Sequence, residues 1–358
     1  IGLTHVHHFY TKRNLWVLAC ILRRVRSSSF FTLWQGIIRG STTYSTKMVK
    51  VNIPRLLKGG GLYSFGAISG TYYIPSLIGE RTIIQAIDGK VRTTLKTVLS
   101  EIERDSVITT QSSAMQVVQQ PVFDYLFTDP PFGGNLMYSE LNYLWEAWLQ
   151  VFTNNEQEAV INRVKKKDIQ KYQELMEESF SAFYKSLKPG RWITVEFHNT
   201  QNSVWNVIQE GLQNAGFVIA NVRVLDKQQF TFKQINSTTV VDQDLIISAY
   251  KHLESFERKF ELHGGSVQGA WDFVHQHLEQ LPMPGLLDGI VEMQAERTPY
   301  LLYDRMLAFH LTRGLTIPLD ASEFYKGLSD RFLTRDGMAF TNAQANAYDA
   351  QRLLAERV

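Results

Sequence analysis

Phe123-Asp124-Tyr125-Leu126-Phe127-Thr128-Asp129-Pro130-Pro131-Phe132-Gly133-Gly134 is the stretch that decides how the rest of this chain is read. It opens with a near-continuous apolar run rich in aromatic residues and closes on a carboxylate, two prolines and two glycines. A short run of this kind, bounded by turn residues, predicts a buried strand. In open α/β sheets, ligands bind beyond the carboxyl ends of strands, which is where Asp129 falls. The paired prolines fix φ and remove two backbone donors, so the turn is stiff and its carbonyls stay outside any helix.

Working outward, Val107–Thr110 predicts a strand ending in Gln111-Ser112-Ser113. Downstream, helical spacing starts at Ser139 and breaks near Asn154-Asn155, and a second helix is expected from about Lys167 to Leu187. Pro189-Gly190 predicts a turn into a strand at Trp192–Phe197. Ser203–Asn214 reads as a short amphipathic helix stopped by Gly216, followed by strands at Val218–Leu225 and Leu245–Tyr250 joined through a polar loop around Gln228–Thr239. This order predicts an α/β, Rossmann-like sheet with an antiparallel ending, over residues 105–251. Beyond His252 helical patterns punctuated by prolines predict a helical C-terminal region, 252–358.

Residues 1–104 predict a helical and β segment packed on that sheet. Phe9–Arg26 reads as one helix with Thr11 as N-cap and Trp16, Cys20 and Val25 among its apolar positions. Residues 27–75 are rich in Ser, Thr, Gly and aromatics, with short strands expected at Val49–Val51 and Leu62–Phe65 around Lys58-Gly59-Gly60-Gly61. Helical spacing resumes over residues 81–103.

The chain has 358 residues, is 44% hydrophobic and carries a formal charge of only +2, so a polyanion must be met by a local basic patch. One cysteine, Cys20, allows neither an internal disulfide nor a Cys-rich zinc site, which predicts a cytoplasmic protein. The apolar run Leu15–Leu22 is too short to span a bilayer, and its arginines follow it.

The chemistry follows from the turn. An aromatic base amine is a poor nucleophile, because its lone pair is delocalised into the ring. Two acceptors aimed at its hydrogens, the Asp129 carboxylate and the Pro130 carbonyl, would favour a pyramidal nitrogen and offset the charge that grows on it. Phe132 offers a flat apolar face to a base swung out of its duplex. The bland alternative is a stiff turn with no chemistry.

Strand–Asp129-Pro130-Pro131-Phe132–loop resembles the [Asp/Asn/Ser]-Pro-Pro-[Tyr/Phe] signature of amino-methyltransferases, which methylate adenine N6 or cytosine N4 with S-adenosylmethionine. The chain from Phe127 to Pro131, together with Thr298–Arg305 and Arg335–Met338, is also similar to the C-terminal part of large bacterial and archaeal DNA methylase-like proteins, some from restriction loci. The resemblance implies a site-specific DNA-methyltransferase, adenine-specific by its initial Asp, with Asp129, Pro130, Pro131 and Phe132 catalytic. It places the cofactor's adenine near Gln111, Ser112 and Ser113, which are equally an ordinary polar strand end. Gly133, Asn135 and Tyr138 are candidates for contact with the target base, Tyr138 with core packing as the alternative. The family's Phe-x-Gly-x-Gly cofactor turn has no match: Phe65-Gly66-Ala67-Ile68-Ser69-Gly70 has the wrong spacing and reads as a hairpin or bulge. A start at Ile1 then predicts that this turn and the first strands lie upstream, or on a partner chain.

Arg163, Lys165, Lys166 and Lys167 form the densest basic cluster, either a phosphate contact or the solvated face of a mixed-charge helix with Glu156, Glu158, Asp168, Glu174, Glu177 and Glu178. His5, His7 and His8 resemble a metal cluster only in composition, and no metal is expected. Glu196 and His198 are expected to point toward the same sheet edge. Two other functions remain open: a non-catalytic nucleic-acid-binding subunit that needs a partner for cofactor, and a methyltransferase acting on RNA or a protein amide.

Overall fold

The computed structural model describes residues 4–27, 31–61, 65–67, 72–88, 90–92, 113–116, 120–134, 136–198, 202–225, 244–287 and 290–355. The chain divides into two compact units, residues 1–111 with 136–158, and residues 112–135 with 159–358. The strand expected at Val107–Thr110 and the loop around Gln228–Thr239 lie outside the described residues.

In the first unit Thr11 caps α1 (Lys12–Val25), its hydroxyl accepting from the Asn14 amide at 3.3 Å. Asn14 and Leu18, one turn apart, are the buried positions. Trp16 is 73% exposed and Cys20 is exposed, which corrects their expected place on the apolar face. Two residues of helix turn the side chain about 200°, so position 16 faces away from positions 14 and 18.

α2 (Phe31–Tyr44) is a helix in a stretch for which the sequence predicts no element. It buries Trp34 and Ile38. The hydroxyls near its end are absorbed by the helix itself: Thr42 donates to the Ile38 carbonyl at 2.7 Å, and Ser45 to that of Ser41 at 2.6 Å. β1 (Val49–Val51), α3 (Ile53–Leu57) and β2 (Phe65–Ala67) follow, the two strands pairing antiparallel. Residues 83–88 are helical, as the spacing predicts. α4 (Tyr138–Leu149) ends at Gln150 in the left-handed region, φ 60°.

The second unit is built on a mixed four-stranded sheet. β3 (Phe123–Thr128) runs parallel to β4 (Leu187–Phe197), and α5 (Ile169–Ser186) leads directly into β4. After α6 (Asn202–Asn214) come β5 (Val218–Leu225) and β6 (Asp244–Tyr250); β6 lies antiparallel between β4 and β5, giving the order β3-β4-β6-β5. β4 starts earlier than expected, since Pro189-Gly190 lies inside it; Gly190, at φ 74°, still donates to the Lys251 carbonyl at 2.9 Å. Asp168 caps α5 through the Lys171 amide.

One face of the sheet packs Ile193, Val195, Phe197 and Ile247 against Tyr172, Phe180, Val204 and Ile208 of α5 and α6. The other receives α7 (Glu254–His263), α8 (Val267–Gln280), α9 (Pro299–Thr312) and α10 (Ala321–Arg331), where Tyr250 and Val218 join Phe256, Phe273 and Phe309. Residues 252–358 therefore share a core with the sheet. They are not wholly helical: β7 (Leu286–Leu287) pairs with β8 (Ile290–Val291), and β9 (Leu333–Arg335) with β10 (Met338–Phe340), before α11 (Asn342–Ala355). No described helix is long and apolar enough to cross a membrane.

β3 corrects a second expectation. Among the described residues it is the edge strand, and Phe123, Tyr125 and Phe127, alternating onto one face, are 38%, 55% and 58% exposed. Only Leu126 packs into the core under the sheet. An apolar run shows that a strand can be buried, but neighbours decide whether it is.

Candidate functional site

The register of the parallel pair sets Thr128 opposite Val195, so Asp129 leaves β3 at the carboxyl edge of the sheet, next to the end of β4. Asp129 is exposed and Pro130 is buried. The following turn is fixed from three sides. Gly133 sits at φ 65°, where a side chain is strained, and its amide donates to the Pro131 carbonyl at 3.0 Å. The Tyr172 hydroxyl, on fully buried Tyr172 of α5, donates to the same carbonyl at 2.6 Å. The Ile161 amide donates to the Gly133 carbonyl at 3.2 Å.

These bonds engage the carbonyls of Pro131 and Gly133 and leave one over. Among the described residues, no hydrogen bond reaches the Pro130 carbonyl. The two acceptors picked out in the sequence, the Asp129 carboxylate and the Pro130 oxygen, thus belong to adjacent residues on a backbone that cannot easily move.

Phe132 is half-buried, its ring edge-on to Phe197 at 5.3 Å and to His198 at 6.1 Å between centroids. His198, just past the end of β4, directs Nδ1 at buried Asp244, 2.6 Å from Oδ1. Asp244 opens β6 opposite that point, because Phe197 pairs with Leu245. Nδ1 is enclosed beside the carboxylate, and the side chain as a whole is 26% exposed. The expectation that His198 lines this edge holds. Asp244 and Tyr172 were missed: Tyr172 sits in an unremarkable helical pattern, whereas an acid at a strand start opposite His198 was a usable signal.

Gln111, Ser112 and Asn135 lie outside the described residues. The Ser113 hydroxyl accepts from the Met115 amide at 3.3 Å. Tyr138 begins α4 in the other unit and is 36% exposed, so it is not a core residue. Phe65-Gly66-Ala67 is β2 of an antiparallel hairpin, as its spacing suggested. The described residues do not by themselves form a cradle for S-adenosylmethionine.

Two cavities of appreciable size lie away from the turn: one of about 520 Å³ on the outer side of α5, between Met115, Glu174, Glu178 and Lys185, and one of about 390 Å³ in the first unit, between Tyr72, Tyr143, Glu146 and Phe152. Burial pushes the Tyr72 phenol up to about 12. Asp129–Phe132 lines neither cavity. Among the described residues no group of three or more His, Cys, Asp or Glu is arranged to hold a metal.

The basic cluster is not helical. Asn162 and Lys167 exchange backbone hydrogen bonds of 2.9 Å each, and residues 163–166 form the turn between them. Asn162 Oδ1 accepts from the amides of Val164 and Lys165, which diverts this stretch from helix into a capped turn.

A scan against protein-family models finds no match, and a search of curated proteins finds none.

Proposed function

We propose that this chain is the catalytic part of an S-adenosylmethionine-dependent methyltransferase acting on an exocyclic amine of a DNA base, with adenine N6 as the target. One observation carries this: the Asp-Pro-Pro-Phe turn stands at the carboxyl end of a strand parallel to its neighbour, in a sheet that ends antiparallel, with the Pro131 carbonyl tied down and that of Pro130 left open. Asp129 and the Pro130 oxygen grip the two amine hydrogens, while Phe132 receives the ring. His198, held by Asp244, offers a further acceptor at the same edge. The cofactor, when bound, supplies an electrophilic methyl group; the chain's own residues hold and orient the amine that receives it.

The test is methyl transfer from labelled S-adenosylmethionine to duplex DNA, RNA and protein acceptors, by the wild type and by Asp129→Ala. Transfer to DNA that is lost in the variant supports the proposal. Equal transfer by both removes Asp129 from the chemistry.

A second reading is a nucleic-acid-binding subunit that receives its cofactor site from a partner chain. The exposed face of β3, the edge strand among the described residues, favours it. Calorimetry with S-adenosylmethionine separates the two: tight binding by the chain alone excludes the second.

A further inference from the structure

Resting on the nucleic-acid substrate just proposed, we infer that the turn Arg163-Val164-Lys165-Lys166 is the surface through which the chain grips the phosphate backbone. The turn is a built feature. Its base is the mutual bonding of Asn162 and Lys167, its shape is set by Asn162 Oδ1 accepting from two amides at 3.0 and 3.2 Å, and Lys166 sits at φ 54°. It is tied to the candidate site on one side, since Ile161 bonds to the Gly133 carbonyl, and to α5 on the other, since Asp168 caps that helix.

Four of the acids that flank this cluster in sequence are engaged elsewhere. Asp168 accepts from the Lys171 amide, Glu174 pairs with Lys171 Nζ at 2.8 Å, Glu177 accepts from Gln173 and Asn214, and Glu158 accepts from Ser139. Among the described residues Arg163, Lys165 and Lys166 have no carboxylate within ion-pairing distance. Three unneutralised cations in four residues are a local basic patch on a chain whose formal net charge is only +2. At its tip Val164 is 93% exposed, an apolar side chain presented between cations. Cations that displace condensed counterions, with an apolar contact between them, suit a nucleic-acid backbone beside the base being handled.

The experiment is fluorescence anisotropy across a salt series, using labelled duplex DNA and RNA of equal length. The wild type is compared with Arg163→Gln/Lys165→Gln/Lys166→Gln and with the charge-preserving Arg163→Lys/Lys165→Arg/Lys166→Arg. The neutral variant is expected to bind at least about tenfold more weakly at low salt, with a log–log salt slope shallower by about 2 to 3. The charge-preserving variant is expected to bind like the wild type, which shows that the turn still folds. An unchanged affinity and slope in the neutral variant, or a wild type that binds neither nucleic acid, overturns the inference. Labelled methyl transfer is scored separately. A chain that binds through this turn but transfers no methyl group keeps the inference and loses the enzyme, and transfer with an unaltered salt slope does the reverse.

Discussion

The hydroxyl of buried Tyr172 donates to the carbonyl of Pro131 across 2.6 Å, and so fastens the Asp-Pro-Pro-Phe turn to the helix beneath it. Among the described residues the Pro130 carbonyl accepts no hydrogen bond. Tyr172→Phe keeps the ring and removes the tie. The Pro131 oxygen retains its bond from Gly133, so the expected stability cost is only about 1 kcal/mol by urea denaturation. Methyl transfer should fall by a larger factor than that cost implies, because a displaced turn misaims both acceptors. Wild-type activity in Tyr172→Phe would separate the turn's position from its function.

Gly133 makes the same point through the backbone. At φ 65° any β-carbon is strained, so Gly133→Ala is expected to lose about 1 to 2 kcal/mol of stability and to lower Tm. Calorimetric unfolding measures it.

Stability should also fall with acid, through three buried histidines. Burial lowers His252 to about 3, holds His277 well below its ordinary value and also lowers His310, with the cations of Arg297, Arg305 and Arg313 adding to the effect. Their Nε2 atoms have no hydrogen-bond partner, while the Nδ1 atoms meet Gln276, Tyr250 and the Met306 carbonyl. The folded chain keeps these rings neutral, whereas the unfolded chain protonates them near pH 6.5. Below that pH the unfolded state binds more protons, so stability is full above about 6.5 and declines as pH falls toward 3. The three rings act in the same direction, so stability is expected to be lower at pH 5.5 than at pH 7. Denaturant midpoints at the two values check this, and His277→Gln should flatten the dependence.

Arg297 is a structural cation. Fully buried, it donates to the carbonyls of Leu278, Leu281, Pro282 and Ala339 and to Gln344 Oε1, with its guanidinium 4.9 Å from the Phe340 ring centre. Burial lowers its pKa to about 10. Arg297→Met would strand several carbonyls at once, and is expected to cost at least about 3 kcal/mol in chemical denaturation. Arg297→Lys should recover only part of it, since an ammonium cannot span that fork.

The parts of this fold that were legible in sequence are those with local causes. Thr11 before α1 and Gly216 after α6 each act within one turn of the residue named. α2 was illegible because Gly36, Gly40 and its hydroxyl-bearing residues lower helix propensity, and tertiary packing of Trp34 and Ile38 overrides them. The exposure of β3 depends on neighbours far along the chain, whereas the turn at Arg163–Lys167 has a local cause, the Asn162 side chain, that charge patterning does not reveal. At the site, Asp129–Phe132 was legible because imino acids impose their geometry locally. Tyr172 was not, since it meets Pro131 across 41 residues; Asp244, at the start of a strand, was a signal left unused.

The most direct test is chemical identification of the product. Duplex DNA incubated with S-adenosylmethionine and the wild-type chain, then digested to nucleosides and resolved by mass spectrometry, is predicted to contain N6-methyladenine, and DNA treated with Asp129→Ala none. N6-methyladenine formed equally by both, or methyl label found only in protein, would contradict the role given to Asp129 and the Pro130 carbonyl.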